Sequence, residues 1–194
     1  IAAGSGRKVR AQESQSDTES QSAKDSPGDR VVLGIMGVNG RGAAIAQGMM
    51  AADNAQVGTI CDVDTRAAIR VGDLVGEKQG RKPKVVGDFR RILDDPDVDV
   101  LVIAAPNHWH APATLLACRA NKHVYVEKPL VLKESEAAEL IELAAANGRI
   151  LMVGHLLQYH PVFAALKKMV TDGELGRINY IYSNRLNLGK IRRE

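Results

Sequence analysis

Between Val31 and Val153 the chain alternates short apolar runs with longer amphipathic segments, and this alternation limits the fold more than any other feature of its 194 residues. The runs are 31–36, 56–61, 84–86, 98–104, 123–126 and 150–153. The segments between them are 41–52, 65–79, 89–94, 112–121 and 133–147. Runs this short suit strands, and the intervening lengths suit helices. Strands joined through helices need crossover connections, which are right-handed and place the strands parallel. The expected architecture is therefore α/β, a doubly wound and mostly parallel sheet. Turn residues agree: Gly148 follows Asn147 as a helix stop, and Pro112 falls in the first turn of the helix after His110.

The two ends read differently. Residues 12–29 are Ser, Gln, Asp, Glu and Lys with almost no apolar side chains, too few to offset the entropy of ordering. Residues 1–11 read either as the remnant of an export leader, with a Val-x-Ala step before Gln12, or as an ordinary disordered terminus. The compartment stays open on this reading: cytoplasmic by default, exported if a leader preceded. At the other end, 177–188 reads as a strand with Ile178, Tyr180, Tyr182, Leu186 and Leu188 on one face. A single strand cannot bury such a face, so the chain is expected to stop inside a second domain. The expected division is a tail over 1–29, an α/β domain over 30–153 and the start of a second domain over 154–194.

Composition removes several classes of function. Lys and Arg number 26 against 23 Asp and Glu, interspersed along the chain, so no basic stripe argues for nucleic acid. No apolar run approaches the roughly 18 residues of a membrane helix. Cys61 and Cys118 are far apart, lack metal-ligand spacing and read as buried thiols.

The first strand runs into Gly37-Val38-Asn39-Gly40-Arg41-Gly42 and then an Ala-rich helix. Strand, glycine turn and helix in this order form the setting of a Rossmann-type phosphate loop. Gly37 permits the turn, Gly42 lets helix pack on strand, and Asn39 stands where a second glycine is usual. Asn tolerates positive φ, and the adjacent Gly40 can share that task. Arg41 belongs to the same cofactor-binding set. Asp62, 20 residues after Gly42, ends the second strand where a carboxylate accepts hydrogen bonds from ribose hydroxyls. Asp64 reads as the cap of the helix starting at Thr65. NAD is favoured on this pattern, and Arg66 nearby keeps NADP open.

Two further turns belong at the carboxyl ends of strands. The fourth strand leads into Pro106-Asn107-His108-Trp109-His110, where Asn107 and His110 are read as touching cofactor or shaping the pocket and Trp109 as packing. His108 and His110 have no local acidic or thiol companion, so no metal is expected. The fifth strand delivers Glu127-Lys128-Pro129. A lysine beside a nicotinamide and a substrate alcohol can assist proton transfer, and the bond before Pro129 is a candidate for cis geometry.

These stretches, with Cys61-Asp62-Val63-Asp64 and most specifically Glu127-Lys128-Pro129-Leu130, resemble the Gfo/Idh/MocA oxidoreductase family over about residues 30–194. The resemblance implies a Rossmann domain followed by an α/β domain whose open, mostly antiparallel sheet faces the substrate and often another subunit. It implies NAD or NADP held by the glycine loop, with Lys128 meeting nicotinamide and substrate hydroxyl, Glu127 and Pro129 flanking it, and His110 matching a family histidine. After the sixth strand the family often carries an arginine and a proline. Here the run is Gly154-His155-Leu156-Leu157-Gln158-Tyr159-His160-Pro161, with Gln158 standing at the arginine's place. His155, Gln158 and Tyr159 are accordingly read as lining the substrate side. This version of the run, continuing into 182–187, resembles members acting on nucleotide-linked sugars. The family's Asp-x-x-x-His element, whose histidine partners the lysine, would fall beyond Glu194.

Three functions are compatible with this. The first is an NAD(P)-dependent oxidoreductase taking hydride from a secondary alcohol of a sugar, cyclitol or nucleotide sugar, assembled as a homo-oligomer. The second is a glycoside hydrolase of the same fold that oxidises its substrate transiently. The third is a nucleotide-binding fragment without catalysis.

Overall fold

Strands buried on both faces need apolar residues at consecutive positions rather than alternate ones, and the central strands carry them. In the computed structural model, which describes residues 29–184 and 186, six such segments form one sheet. They are β1 (Val31–Met36), β2 (Ala55–Cys61), β3 (Lys84–Val86), β4 (Val100–Ile103), β5 (His123–Val126) and β6 (Leu151–Val153). Their order is β3-β2-β1-β4-β5-β6, and every neighbouring pair is parallel. The chain walks outward from β1 to β3, then returns to lay β4 on the other side of β1. That reversal is the switch point at which doubly wound sheets open a ligand crevice.

The connections are α1 (Arg41–Met49), α2 (Thr65–Gln79), α3 (Arg90–Leu93), α4 (His110–Arg119) and α5 (Glu134–Ala146). Side-chain alternation along the strands divides the core into two apolar layers, one on each face. Leu101, Ile103, Val124 and Val126 belong to the layer that includes Ala113, Ala117 and Cys118 of α4. Val102, Tyr125, Ile35 and Ile60 belong to the other, with Ala68, Val71 and Val75 of α2. Small residues on the buried helix faces bring α2 and α4 close to the sheet. Asp64 caps α2 by accepting the Arg66 backbone N–H at 3.0 Å, as its position suggests. Cys61 and Cys118 are free and buried. Among the described residues no helix is long and apolar enough to cross a membrane.

A second compact unit begins at His155. It holds a 3₁₀ turn (Leu156–Tyr159) and α6 (Pro161–Thr171), whose N-terminus is capped by the His160 ring accepting the Val162 N–H. The strand expected over 177–188 is not formed: residues 177–184 and 186 carry no strand, and Tyr180, Ile181 and Tyr182 are more than four-fifths exposed. Alternation gives a strand its two faces, but a strand also needs a neighbour to take its N–H and C=O groups. None of the described residues supplies one. The readings of residues 1–28 and of Leu188 lie outside the described residues.

Candidate active site

The backbone ladder runs past the strand ends and lines up their turns along one rim. Gly37 N–H donates to the Cys61 carbonyl, Ala104 to Met36, Glu127 to Ile103 and Gly154 to Val126, all within 2.8–2.9 Å. The glycine loop, the turn after β4 and the turn after β5 are thereby fixed as neighbours at the carboxyl end of the sheet.

The glycine loop owes its path to sterics. Gly37 has φ 84° and Gly40 φ 137°, whereas Asn39 does not take a positive φ. The left-handed conformation offered to Asn39 or Gly40 from sequence thus falls to Gly40. A Cβ on Gly42 would lie 1.8 Å from the Gly37 carbonyl oxygen, so no side chain fits between loop and helix. No side chain caps the N-terminus of α1, and its first turn holds no acidic residue. An uncapped helix N-terminus behind a glycine turn, with Arg41 as its first residue, has the charge and the room that a diphosphate requires.

Asp62 closes the loop from the β2 side. Its Oδ2 accepts the N–H groups of Val38 at 2.7 Å and Asn39 at 3.2 Å, and its Oδ1 accepts the Asp64 N–H at 2.9 Å. Each carboxylate oxygen has about two acceptor sites, so Oδ1 retains one for a ribose hydroxyl. The nearby cations are engaged. Arg66 makes a bidentate pair with Asp64, holding that carboxyl below its usual range, and Arg70 donates to the Asn39 side-chain oxygen at 3.2 Å. Beneath the loop, burial together with Asp62 and Asp88 pushes the Cys61 thiol up to about 12.

The turns after β4 and β5 are stitched by one ring. His110, 1% exposed, has Nδ1 2.6 Å from the Pro129 carbonyl oxygen and Nε2 2.9 Å from that of Ala105. Carbonyls only accept, so whichever ring nitrogen carries the N–H donates to the carbonyl beside it. His110 therefore lies between the two turns, with a backbone carbonyl beside each ring nitrogen. Asn107 is exposed on the same turn. Trp109 packs edge-on to Phe89, with ring centroids 5.9 Å apart.

The Lys128–Pro129 peptide is cis. Lys128 is exposed and makes no hydrogen bond or ion pair among the described residues, so protein burial alone does not desolvate its amine. Glu127 is the opposite: 7% exposed, its Oε1 accepts Arg41 Nε at 2.9 Å and the Tyr125 hydroxyl at 3.4 Å. Tyr125 was not among the site residues read from sequence. The signal was present, since residues i and i+2 of a strand share a face and Tyr125 therefore meets Glu127. The pairing of Arg41 with Glu127 had no such signal. His155, Gln158 and Tyr159 lie exposed on the first turn of the second unit.

Residues 31–155 match the family described as oxidoreductases with an NAD-binding Rossmann fold. The chain is a Gfo/Idh/MocA family member. This member is 28% identical over 137 residues to the inositol 2-dehydrogenase of Salmonella typhimurium, covering 70% of this chain and 40% of the relative. It is 30% identical over 175 residues to glycosyl hydrolase family 109 protein 2 of a Shewanella strain, covering 86% and 38%. Among solved structures, levoglucosan dehydrogenase in complex with NADH and levoglucosan superposes with a TM-score of 0.68 at 26% identity, covering 76% of this chain and 41% of that one. The Gfo/Idh/MocA chain spans about two fifths of the length of these relatives.

Proposed function

We propose that the full-length protein oxidises a secondary alcohol of a sugar, cyclitol or nucleotide sugar with NAD. The observation that carries this reading is the setting of Lys128, an exposed amine on a turn whose flanking residues are anchored to the glycine loop through Arg41 and to the β4 turn through His110. Gly37, Asn39, Gly40, Arg41 and Gly42 hold the diphosphate, and Asp62 takes a ribose hydroxyl. Asn107, His110, Glu127 and Pro129 shape the nicotinamide side. When bound, the nicotinamide supplies the hydride acceptor. Lys128 donates an N–H to the substrate oxygen, fixes its orientation and helps carry away the hydroxyl proton. NAD is preferred over NADP because a carboxylate at Asp62 repels a 2′-phosphate, while Arg66 is spent on Asp64.

The proposal extends to the remainder of the full-length protein. Residues 154–194 open a second α/β domain with a mostly antiparallel open sheet. That domain brings His155, Gln158 and Tyr159 to the substrate, contributes the histidine partner of Lys128 and pairs subunits. The test is NADH formation by the full-length protein across a panel of sugars, cyclitols and nucleotide sugars, alongside Lys128→Ala, with oligomeric mass by light scattering. Reduction of NAD by no polyol, with NAD binding retained, would refute the dehydrogenase reading.

The second reading, glycoside cleavage through transient oxidation, is favoured by the 30% identity to a family 109 hydrolase across 86% of the chain. Aglycone release without added NAD and without accumulation of NADH would establish it in place of the first.

A further inference from the structure

We infer that Arg41 is a positioning residue for Lys128, acting through Glu127, so that the phosphate loop and the proton-handling turn are set by one ion pair. The inference rests on the proposed role of Lys128. It begins with the burial of Glu127, whose side chain is 9% exposed while that of Arg41 is 47% exposed. The carboxylate has two partners, Arg41 Nε at 2.9 Å and the Tyr125 hydroxyl at a longer 3.4 Å. Without Arg41 a buried carboxylate would keep one weak neutral donor, and a buried charge stripped of its counter-charge either takes up a proton or moves. Its surroundings leave it little choice of place. A Cβ on Gly154 would lie 2.7 Å from the Tyr125 hydroxyl and 3.1 Å from Glu127 Oε1, so the cluster is closed on the β6 side.

Glu127 and Lys128 share a peptide bond. The Glu127 N–H is fixed by the Ile103 carbonyl and Pro129 by His110, so the Glu127 side chain is the third tether on this turn and the one that crosses to the element behind the glycine loop. That element is the first residue of α1, directly after Gly40. The distance in sequence between the partners is 86 residues, and the pair registers the lysine turn against the loop that holds the cofactor. Its charges support each other: the hydrogen bond to Glu127 raises the pKa of Arg41, ahead of the opposing effect of burial. An exposed ion pair would contribute little, but this one fixes a buried carboxylate next to a reacting group, where small displacements lower rate steeply.

The test uses the full-length protein and five variants: Arg41→Ala, Arg41→Lys, Glu127→Gln, the double variant Arg41→Ala with Glu127→Gln, and Lys128→Ala. Turnover, the NAD dissociation constant and thermal unfolding are measured on each. Positioning predicts that Arg41→Ala and Glu127→Gln each lower kcat at saturating NAD about tenfold or more, a loss beyond the weaker NAD binding expected when Arg41 leaves the diphosphate. It also predicts that Arg41→Lys, which restores charge without the fork, recovers part of the loss and gives an answer if the alanine variant folds poorly. The double variant is no worse than Arg41→Ala alone, because both substitutions cut one tie. Loss of NAD affinity in step with turnover, with Glu127→Gln normal, would make Arg41 a phosphate ligand only and overturn the inference. Normal turnover in Arg41→Ala and Glu127→Gln beside a crippled Lys128→Ala overturns it too, leaving the role of Lys128 standing. Normal turnover in Lys128→Ala removes both.

Discussion

The two rims of the sheet use the same backbone for opposite ends. At the amino rim, polar side chains finish the ladder where strands begin. Asp99 Oδ2 accepts the Val32 N–H at 2.8 Å, Gln79 exchanges two hydrogen bonds with the Val57 backbone, and the His123 ring accepts the Ile150 N–H. Lys122, 8% exposed, donates to the carbonyls of Asp95 and Val98, both at 2.7 Å. A cleft of about 600 Å³ opens at this rim, with the 2.7 Å pair of Lys84 and Asp95 in its wall. At the carboxyl rim the tethers hold turns, not strands, and they leave Lys128, Asn107 and Gly40 exposed. The difference teaches how two lysines of one sheet diverge: buried Lys122 is spent on two backbone carbonyls, whereas Lys128 stands exposed on an anchored turn and is the one proposed for chemistry.

The largest expected effect sets the two lysines against each other. In the full-length protein, Lys128→Ala should lower turnover by about 100-fold or more with NAD affinity within about threefold. Lys122→Ala should leave turnover per folded molecule unchanged and cost roughly 2–3 kcal/mol in denaturant unfolding, since two buried carbonyls lose their donor. Slowed turnover in a stable Lys122→Ala protein would break the comparison. Next, Gly42→Ala should weaken NAD binding by about tenfold or more in equilibrium titration, because the added methyl must displace the loop or α1. Asp62→Asn should then erode the preference for NAD over NADP about tenfold, read as the ratio of the two kcat/KM values.

The smallest effect is electrostatic. Arg90, hydrogen-bonded to Asp88, holds that exposed carboxyl down at about 2 against about 3.9 for an unfolded Asp. A depressed folded value means the pair stabilises the protein above about pH 4 and loses that contribution as pH falls toward about 2. Asp88→Asn should therefore lower Tm slightly at neutral pH, with the gap from wild type narrowing as the medium is acidified.

The fold was legible where sequence carries its own punctuation. β1, α2, β3 and β5 fall on the runs read from periodicity, and α1 and α4 differ only in where their ends fray, because glycine, proline and capping aspartate mark the junctions. Less was legible wherever distant residues meet. Nothing local tells that Arg41 finds Glu127, or that both nitrogens of His110 lie beside backbone carbonyls. The glycine loop could be located but not its strain, which went to Gly40 and not Asn39. The 177–188 stretch had the alternation of a strand without a neighbour to pair with, and periodicity cannot supply one.

Cys61 and Cys118 give the dinucleotide-binding domain a practical property. With both thiols buried and the proton of Cys61 held to about pH 12, neither offers the exposed thiolate that alkylating reagents need. A cysteine introduced at Asn107 would stand on an exposed turn against a silent background. A fluorophore attached there would report loop movement on nucleotide addition with no need to remove the native thiols.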